Sequence, residues 1–311
     1  MQQVTWVDLA EMTIDNTVSH KLDRLVAASG AAENISDGMR VALKINTAEE
    51  GYEYGLRPGF IRTVVRAASR ASNNLSIVCD GPRLVDYWKR SKANVFMEAA
   101  TAHGYSNETL AGHFVINGGF SGDEGDLFPC GSTESILGGV EVGTVICRSD
   151  ALWVLSHVTL HPLFGVNGAL LNGGFECLSG RARTRLLQGL NPYLFNGARP
   201  DGAKVASFHQ RALESIHGVR ASVDGCMFFI NCLWDVTPQP EYYPFSGQPV
   251  MENLGFLASR DPVALDAATY DLMMARIGDA GNRPAIDFTG VLKEAEAMGV
   301  GSLSWEIQRL S

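Results

Sequence analysis

Short apolar runs alternate with amphipathic stretches along the first part of the chain. The runs predict buried strands, and the stretches, in which apolar residues recur every three or four positions, predict helices. The pattern predicts helices over 17–29, from 57 onwards and over 84–103, and strands over 41–46, 75–79 and 113–117. Asp15 or Asn16 can cap the first helix, and Gly30 can end it. This order of elements predicts an α/β fold, with a mostly parallel sheet and helices on both of its faces.

The middle of the chain departs from this alternation. Two strand-like runs, 140–147 and 151–156, are separated by three residues, which predicts either an antiparallel edge hairpin or an edge strand beside a core strand. Residues 178–203, rich in arginine, proline and glycine, are predicted to be an irregular excursion. The remaining predicted elements are helices over 204–217, from 261 and over 287–298, and strands over 226–233 and 254–258.

Length and charge limit what such a fold can be. The 311 residues allow one large domain or two lobes, over about 1–135 and 136–311, and we predict a single α/β domain over 1–311. The net charge of −9 argues against non-specific nucleic-acid binding, which relies on Lys and Arg against phosphate. Residues 151–175 carry no charge, but their histidines, asparagines and glycines predict a buried strand and a tight loop, not a membrane span.

The cysteines and the N-terminal segment indicate a compartment. The six cysteines include no C-x-x-C pair, and the N-terminal residues lack the basic and apolar regions of a secretory signal. We therefore expect reduced thiols and a cytoplasmic protein. The expected partner is a small-molecule substrate, without nucleic acid or membrane, and assembly into a homo-oligomer is left open.

The predicted core strands end in short polar side chains. In open parallel sheets, ligands bind beyond the carboxyl ends of the strands. The residues at these ends are Asn46, Asp80, Asn117, His157, Asn231 and Asp235. We predict a small-molecule cleft there, in which Lys44 and Arg57 hold an anionic group and Asn46, Asp80 and Asn172 also bind substrate. The alternative is that polar residues simply begin where strands end.

His157 and His161 are the main catalytic candidates. Two imidazoles four residues apart can share a divalent metal ion when they lie on a helix. Pro162 biases His161 away from helical backbone, which favours general acid/base work by neutral imidazole. Satisfied core histidines are the third interpretation.

Three other residues are catalytic candidates because of their surroundings. Cys177 follows a glycine-rich loop and precedes three arginines, whose charges would favour the thiolate; a buried, inert thiol is the alternative. Asp261 precedes a proline, as a helix cap does. Asp266 lies in an apolar helical turn, where a carboxylate needs a partner, so it is either a structural anchor or faces the cleft.

Several segments together resemble a known family, the DUF362 proteins, which are often described as uncharacterised iron–sulfur-centre proteins. The segments are 41–46 with 50–51 and 57–58, 155–157 with 161 and 168–170, and 258–266. The last, Ala258–Asp266, reads ASRDPVALD against the family pattern A-S-x-D-P-V-A-x-D and is the most specific of them. The resemblance implies an α/β fold and a shared cleft.

The chain departs from that family in residues that matter for chemistry. Typical members carry repeated C-x-x-C-x-x-C cluster ligands where this chain has residues 178–203, which contain no cysteine. We therefore expect no iron–sulfur cluster, while one divalent metal ion is left open. The family's histidine after the first strand is Asn46 here, and its lysine in the glycine-rich loop is Leu171.

Three functional hypotheses follow. The first is an enzyme of bacterial specialised metabolism that acts on a small anionic molecule by isomerisation, elimination, cyclisation or hydrolysis. In it, His157 and His161 move protons or hold the metal, and Asp261 and Asp266 orient a histidine or bind that metal. The second is an oxidoreductase with an external electron donor or a bound cofactor. The third is a non-catalytic small-molecule-binding protein.

Overall fold

The computed structural model describes residues 1–82, 92–131, 135–187, 189–190, 201–278 and 283–310. Its strands are β1 Gln2–Val7, β2 Val41–Ile45, β3 Ile77–Asp80, β4 His113–Ile116, β5 Gly125–Pro129, β6 Gly139–Gly143, β7 Ala151–His157, β8 Thr159–His161, β9 Gly165–Asn167, β10 Met227–Leu233, β11 Gly255–Ser259 and β12 Trp305–Leu310. Its α-helices are α1 Val18–Ala28, α2 Pro58–Ser72, α3 Ala93–Ala102, α4 Asn107–Leu110, α5 Thr144–Cys147, α6 Ala169–Gly173, α7 Gly180–Leu186, α8 Gly202–Ser222, α9 Pro262–Met274 and α10 Phe288–Ala297.

Eight of these strands form the central sheet, in the order β12-β1-β11-β10-β7-β2-β3-β4. From β10 to β4 every neighbouring pair is parallel. The strand β11 is antiparallel to both β10 and β1, and β1 is parallel to β12. All strands of the sheet except β11 therefore point the same way, which confirms the predicted mostly parallel α/β fold.

Helices cover both faces of this sheet. Successive residues of a strand point to opposite faces, so Trp153 and Leu155 join one core and Leu152 and Val154 join another. The first core contains apolar residues of α1 to α4, and the second contains those of α6 to α10. All seven residues of β7 are buried, because this strand lies in the middle of the sheet with a core on each face.

The first helix ends as predicted but begins differently. Gly30 has a φ of +74°, the left-handed conformation that favours glycine after a helix. At the other end Thr17, and not Asp15 or Asn16, is the cap: its hydroxyl accepts a hydrogen bond from the His20 N–H. The part of the predicted helix over 84–103 that is described is Ala93–Ala102, and residues 83–91 lie outside the described structure.

Antiparallel hairpins are present, β5 with β6 and β8 with β9, but the predicted pairing of residues 140–147 with 151–156 does not form. Residues 140–147 divide into a strand, Gly139–Gly143, and a helical turn, Thr144–Cys147. That strand pairs with Gly125–Pro129 in a separate small sheet, while β7 lies between β10 and β2. Apolar content alone does not show whether two neighbouring strands pair with each other or belong to different sheets. Here the chain passes from the small sheet to the central sheet between β6 and β7.

The expectation of an irregular excursion over 178–203 is also corrected in part. Gly180–Leu186 is a helix whose first turn is capped by the Ser179 hydroxyl, and α8 already begins at Gly202. Residues 188 and 191–200 lie outside the described structure. The organisation as one domain or two lobes stays a prediction. Among the described helices, none is both long and apolar enough to cross a lipid bilayer.

Candidate functional site

The parallel strands β2, β3 and β7 end at one edge of the sheet and bring four predicted residues together there. Lys44 lies on β2, Asn46 directly follows it, Asp80 is the last residue of β3 and His157 the last residue of β7. Asn172, on α6, reaches the same place across the face of the sheet. All five side chains are buried. These residues therefore lie where the strand-end rule predicts a cleft, and their role in binding a ligand stays a prediction.

Lys44 is a buried cation with two partners. Its Nζ donates to Asn172 Oδ1 at 2.8 Å and lies 3.6 Å from Asp80 Oδ1. Asp80 in turn accepts the backbone N–H groups of Thr47 and Gly81, each at 2.9 Å. A buried charge is tolerated only when it is paired and hydrogen-bonded. The pair therefore holds the ends of β2 and β3 together.

A circuit of buried polar groups, which we call the polar ring, lies beside this pair. It consists of Asn46, Asn172, Asn167, Glu241 and His157. Asn46 Nδ2 donates to Asn172 Oδ1 at 2.7 Å, and Asn172 Nδ2 donates to Asn167 Oδ1 at 2.9 Å. Asn167 Nδ2 lies 3.2 Å from both oxygens of Glu241, and Asn46 Oδ1 accepts the His157 backbone N–H at 2.9 Å. The circuit closes where Glu241 Oε2 faces His157 Nδ1 at 3.9 Å.

The two ring nitrogens of His157 have different surroundings. Nε2 lies 3.0 Å from the carbonyl oxygen of Trp234 and 3.3 Å from that of Asp235, and since carbonyls only accept, Nε2 carries the proton. Nδ1 is buried and has no hydrogen-bond partner among the described residues. Burial lowers the pKa of His157, although the neighbouring Glu241 carboxylate opposes that shift. The imidazole is therefore neutral near neutral pH, with its basic lone pair turned toward Glu241.

Both ring nitrogens of His161 form hydrogen bonds within the fold. Its Nδ1 accepts the backbone N–H groups of Leu163 at 3.1 Å and Phe164 at 3.0 Å. Nδ1 is therefore unprotonated, so Nε2 carries the hydrogen and lies 2.8 Å from the hydroxyl of Tyr242. A metal ligand needs a lone pair, and these bonds leave His161 none to offer. In the described parts of the chain, no three His, Cys, Asp or Glu side chains are grouped so that they could hold a metal ion.

Residues 41–271 match the family model described as "DUF362: Domain of unknown function (DUF362)". The chain belongs to the DUF362 family. The resemblance inferred from the sequence segments is thereby confirmed.

Two solved structures are similar to this DUF362 protein at low identity. One is a protein from Thermotoga maritima, at 13% identity and a TM-score of 0.43, covering 94% of this chain and 60% of that one. The other is the lactate racemase apoprotein from Thermoanaerobacterium thermosaccharolyticum, at 14% identity and a TM-score of 0.36, covering 68% of this chain and 48% of that one. The chain thus spans less than two thirds of either structure. No curated protein matches it.

In this DUF362 protein, Cys177 is not an activated thiol. Its Sγ donates to the carbonyl oxygen of Asn172 at 3.0 Å, so it fixes the end of α6. Burial raises the pKa of Cys177 to about 12, and Lys44 and Arg183 only partly offset that rise. The expected activation by nearby arginines is therefore wrong, because desolvation outweighs their attraction. Arg183 instead lies 3.4 Å from Glu176.

Alkylation kinetics should show this difference between thiols. We expect iodoacetamide to label Cys147 and Cys226, which are half-buried, well before Cys177, which is fully buried and protonated. Timed labelling followed by peptide mass spectrometry measures the order, and the same reaction in urea is the control for intrinsic reactivity. Rapid labelling of Cys177 in the folded protein would contradict this assignment.

Asp261 and Asp266, the two aspartates of the family segment, accept hydrogen bonds from backbone N–H groups, and neither contacts a histidine. Asp261 caps α9 by accepting the N–H groups of Val263 and Ala264, both at 2.9 Å, and it also accepts that of Ser302. It follows β11, the antiparallel strand, and so lies at the edge opposite the polar ring. The prediction that Asp261 orients a histidine is therefore wrong.

Asp266 anchors the segment that carries Asn172. Its carboxylate accepts the N–H groups of Ala169 at 2.7 Å and Leu170 at 2.9 Å, and Asn231 Nδ2 at 2.7 Å. Burial raises the pKa of Asp266 to about 6, even though these hydrogen bonds favour the charged form. Of the two interpretations of Asp266, the structural anchor agrees with these contacts, and its effect on the polar ring acts through α6.

Arg57 lies on the solvent side of the site. Its side chain is 52% exposed, its Nη2 is 3.3 Å from Asp235 Oδ2, and its guanidinium lies 4.6 Å from the centre of the Trp234 ring. The backbone carbonyls of Trp234 and Asp235 are the partners of His157 Nε2. Arg57 therefore supports the loop behind His157 and does not contact the Lys44–Asp80 pair.

Glu241 is the functional candidate that sequence reasoning missed. It lies in the proline-rich loop after β10, which has no periodicity to mark a buried position. Its neighbours in the chain, Tyr242 and Tyr243, are also buried. A carboxylate beside two aromatic residues in a loop was the available signal, but it is the contacts with Asn167 and His157 that place Glu241 in the cluster.

Proposed function

We propose that this protein is an enzyme that acts on a small anionic organic molecule by proton transfer through His157. The observation that carries the proposal is the buried Nδ1 lone pair of His157, 3.9 Å from the Glu241 carboxylate. A neutral imidazole held by its other nitrogen is ready to accept a proton, and a carboxylate beside it stabilises the imidazolium that forms. Isomerisation, elimination, cyclisation and hydrolysis all require such a step.

The buried ammonium group of Lys44 is our reason for proposing an anionic substrate. Its ammonium group has three N–H donors. Its partners among the described residues are Asn172 and Asp80, so one donor is left for a ligand. The hydrogen bonds of Asn172 link Lys44 to the polar ring, so an anion bound at Lys44 would be held close to His157.

The test is a screen for proton exchange. The protein is incubated in D₂O with a panel of small carboxylic acids, with and without amino groups, and ¹H NMR follows the loss of C–H signals and the appearance of products. We expect turnover of at least one compound, and a 10²- to 10⁴-fold lower kcat/KM for His157→Gln, as for the loss of a general acid/base group. Glutamine can still donate to the carbonyl of Trp234, so the fold should persist.

The matched control is His113→Gln, at an exposed histidine on β4. Its kcat/KM should stay within about twofold of the wild-type value, because surface substitutions away from a site rarely matter. Full activity of His157→Gln would overturn the proposal. A visible absorption band in the purified protein would instead favour the oxidoreductase, and tight binding without turnover would favour the non-catalytic binding protein.

A further inference from the structure

The contact between His157 and Glu241 joins two groups that both accept hydrogen bonds. His157 donates from Nε2, so its Nδ1 offers only a lone pair, and Glu241 Oε2 is a carboxylate oxygen. Both side chains are 1% exposed. Their separation of 3.9 Å is too long for a direct hydrogen bond. Glu241 Oε2 already accepts from Asn167, but His157 Nδ1 has no hydrogen-bond partner among the described residues, and a buried polar atom without a partner is costly. A group that donates to Nδ1 from between the two side chains would also meet Glu241 Oε2.

The charge of Glu241 calls for a cation. Its hydrogen bonds come from the neutral amide of Asn167. Lys44, the buried cation of the cluster, pairs with Asp80 and not with Glu241. Among the described residues, the basic side chain within 4 Å of this carboxylate is His157. Burial lowers the pKa of His157, so it is neutral and does not balance the charge. A buried carboxylate of this kind is stabilised by a positive partner.

We propose that His157 Nδ1 and Glu241 Oε2 bind a primary ammonium group, each accepting one of its N–H donors. One nitrogen can lie about 2.9 Å from both atoms, because their 3.9 Å separation is less than twice that distance. A hydroxyl group has a single hydrogen and cannot satisfy both. Water has two and is the other source of this chemistry, but it leaves the charge of Glu241 unbalanced.

The inference deepens the proposed function and rests on it for the nature of the substrate. The proton that His157 Nδ1 accepts would then be one of the ammonium protons, which leaves a neutral amine beside the imidazolium. With an anionic group at Lys44 and an ammonium group at Glu241, the substrate would carry both charges, as an amino acid does. The polar ring joins the two positions through Asn172 and Asn167. The ammonium site itself can be tested without turnover.

The experiment is ¹⁵N NMR of the full chain with labelled histidine. Methylammonium chloride is titrated at constant ionic strength, and tetramethylammonium chloride, which has the same charge but no N–H, is the probe control. We expect a saturable change in the His157 Nδ1 shift with methylammonium alone, in the millimolar range because the probe has so few atoms. No saturable change, or the same change with both salts, would overturn the inference and leave water as the bridging group.

Variants test the role of the carboxylate. Glu241→Gln should weaken methylammonium binding at least tenfold, while Glu252→Gln, at a side chain that is 69% exposed, should not change it. Unchanged binding by Glu241→Gln would contradict the site. If Glu241→Gln does not fold, the comparison of the two salts on the wild-type protein decides. Ammonium binding without turnover of any compound would contradict the enzyme proposal but not the ammonium site. Turnover without ammonium binding would contradict the ammonium site but not the enzyme proposal.

Discussion

Lys44→Met is expected to lower the free energy of unfolding by about 3–5 kcal/mol, the usual cost of removing one partner from a buried ion pair. Methionine fills the volume of the lysine stem but removes the Lys44 ammonium group from the buried Asp80 carboxylate at the ends of β2 and β3. Asn172 Oδ1 also loses one of its two donors. Urea unfolding followed by circular dichroism measures the loss.

The matched control is Arg40→Met, which breaks the pair between Arg40 and Asp150. Their side chains are 56% and 38% exposed, so the expected loss is at most about 1 kcal/mol, because water screens the pair. Adding Asp80→Asn to Lys44→Met should recover part of the lost stability. Equal losses for Lys44→Met and Arg40→Met would show that the buried pair is not needed for the fold.

Asp266 should make the protein less stable as the pH rises from about 4 to about 6. Burial raises the pKa of this carboxyl from 3.8 to about 6 in the folded state. Between these values the folded protein binds more protons than the unfolded chain, so the free energy of unfolding falls with rising pH. A difference of about two pKa units corresponds to about 3 kcal/mol, present below pH 4 and lost above pH 6.

Asp266→Asn removes this titration, so the comparison isolates it. Wild-type stability minus that of Asp266→Asn, from urea unfolding at several pH values, should fall by about 3 kcal/mol across the window. Asp15→Asn, at an exposed aspartate, is the control for the loss of one carboxyl group. A difference that does not change with pH, or that rises, would show that the three hydrogen bonds to Asp266 outweigh its desolvation.

The sequence predicted the core of the fold well because its strands are short, apolar and separated by amphipathic helices. The strand at Val41–Ile45 and the helix at Pro58–Ser72 both follow this local pattern. The strand β1 and the edge strand β12 were missed. They are held by partners about 250 to 300 residues away in the chain, so no local pattern marks them.

The structure brings together several residues that the sequence singled out, and their role as a site stays a prediction. Strand ends are marked in the sequence, which is why Lys44, Asn46, Asp80 and His157 could be expected to be neighbours. The difference between His157 and His161 was not visible, because it depends on which backbone groups their ring nitrogens meet. The pKa of Cys177 was misjudged for a related reason: charge can be counted from a sequence, but burial cannot.

The reversed strand β11 carries the start of the most specific family segment, whose two carboxylates hold the scaffold and do not belong to the polar ring. The segment Ala258–Asp266 begins on this strand, and its two carboxylates bind backbone groups of α9, of α6 and of Ser302. A sequence signature built on this segment therefore detects residues that hold α6, α9 and Ser302 in place in the fold. Such a signature reports ancestry and architecture, because neither carboxylate of this segment belongs to the polar ring.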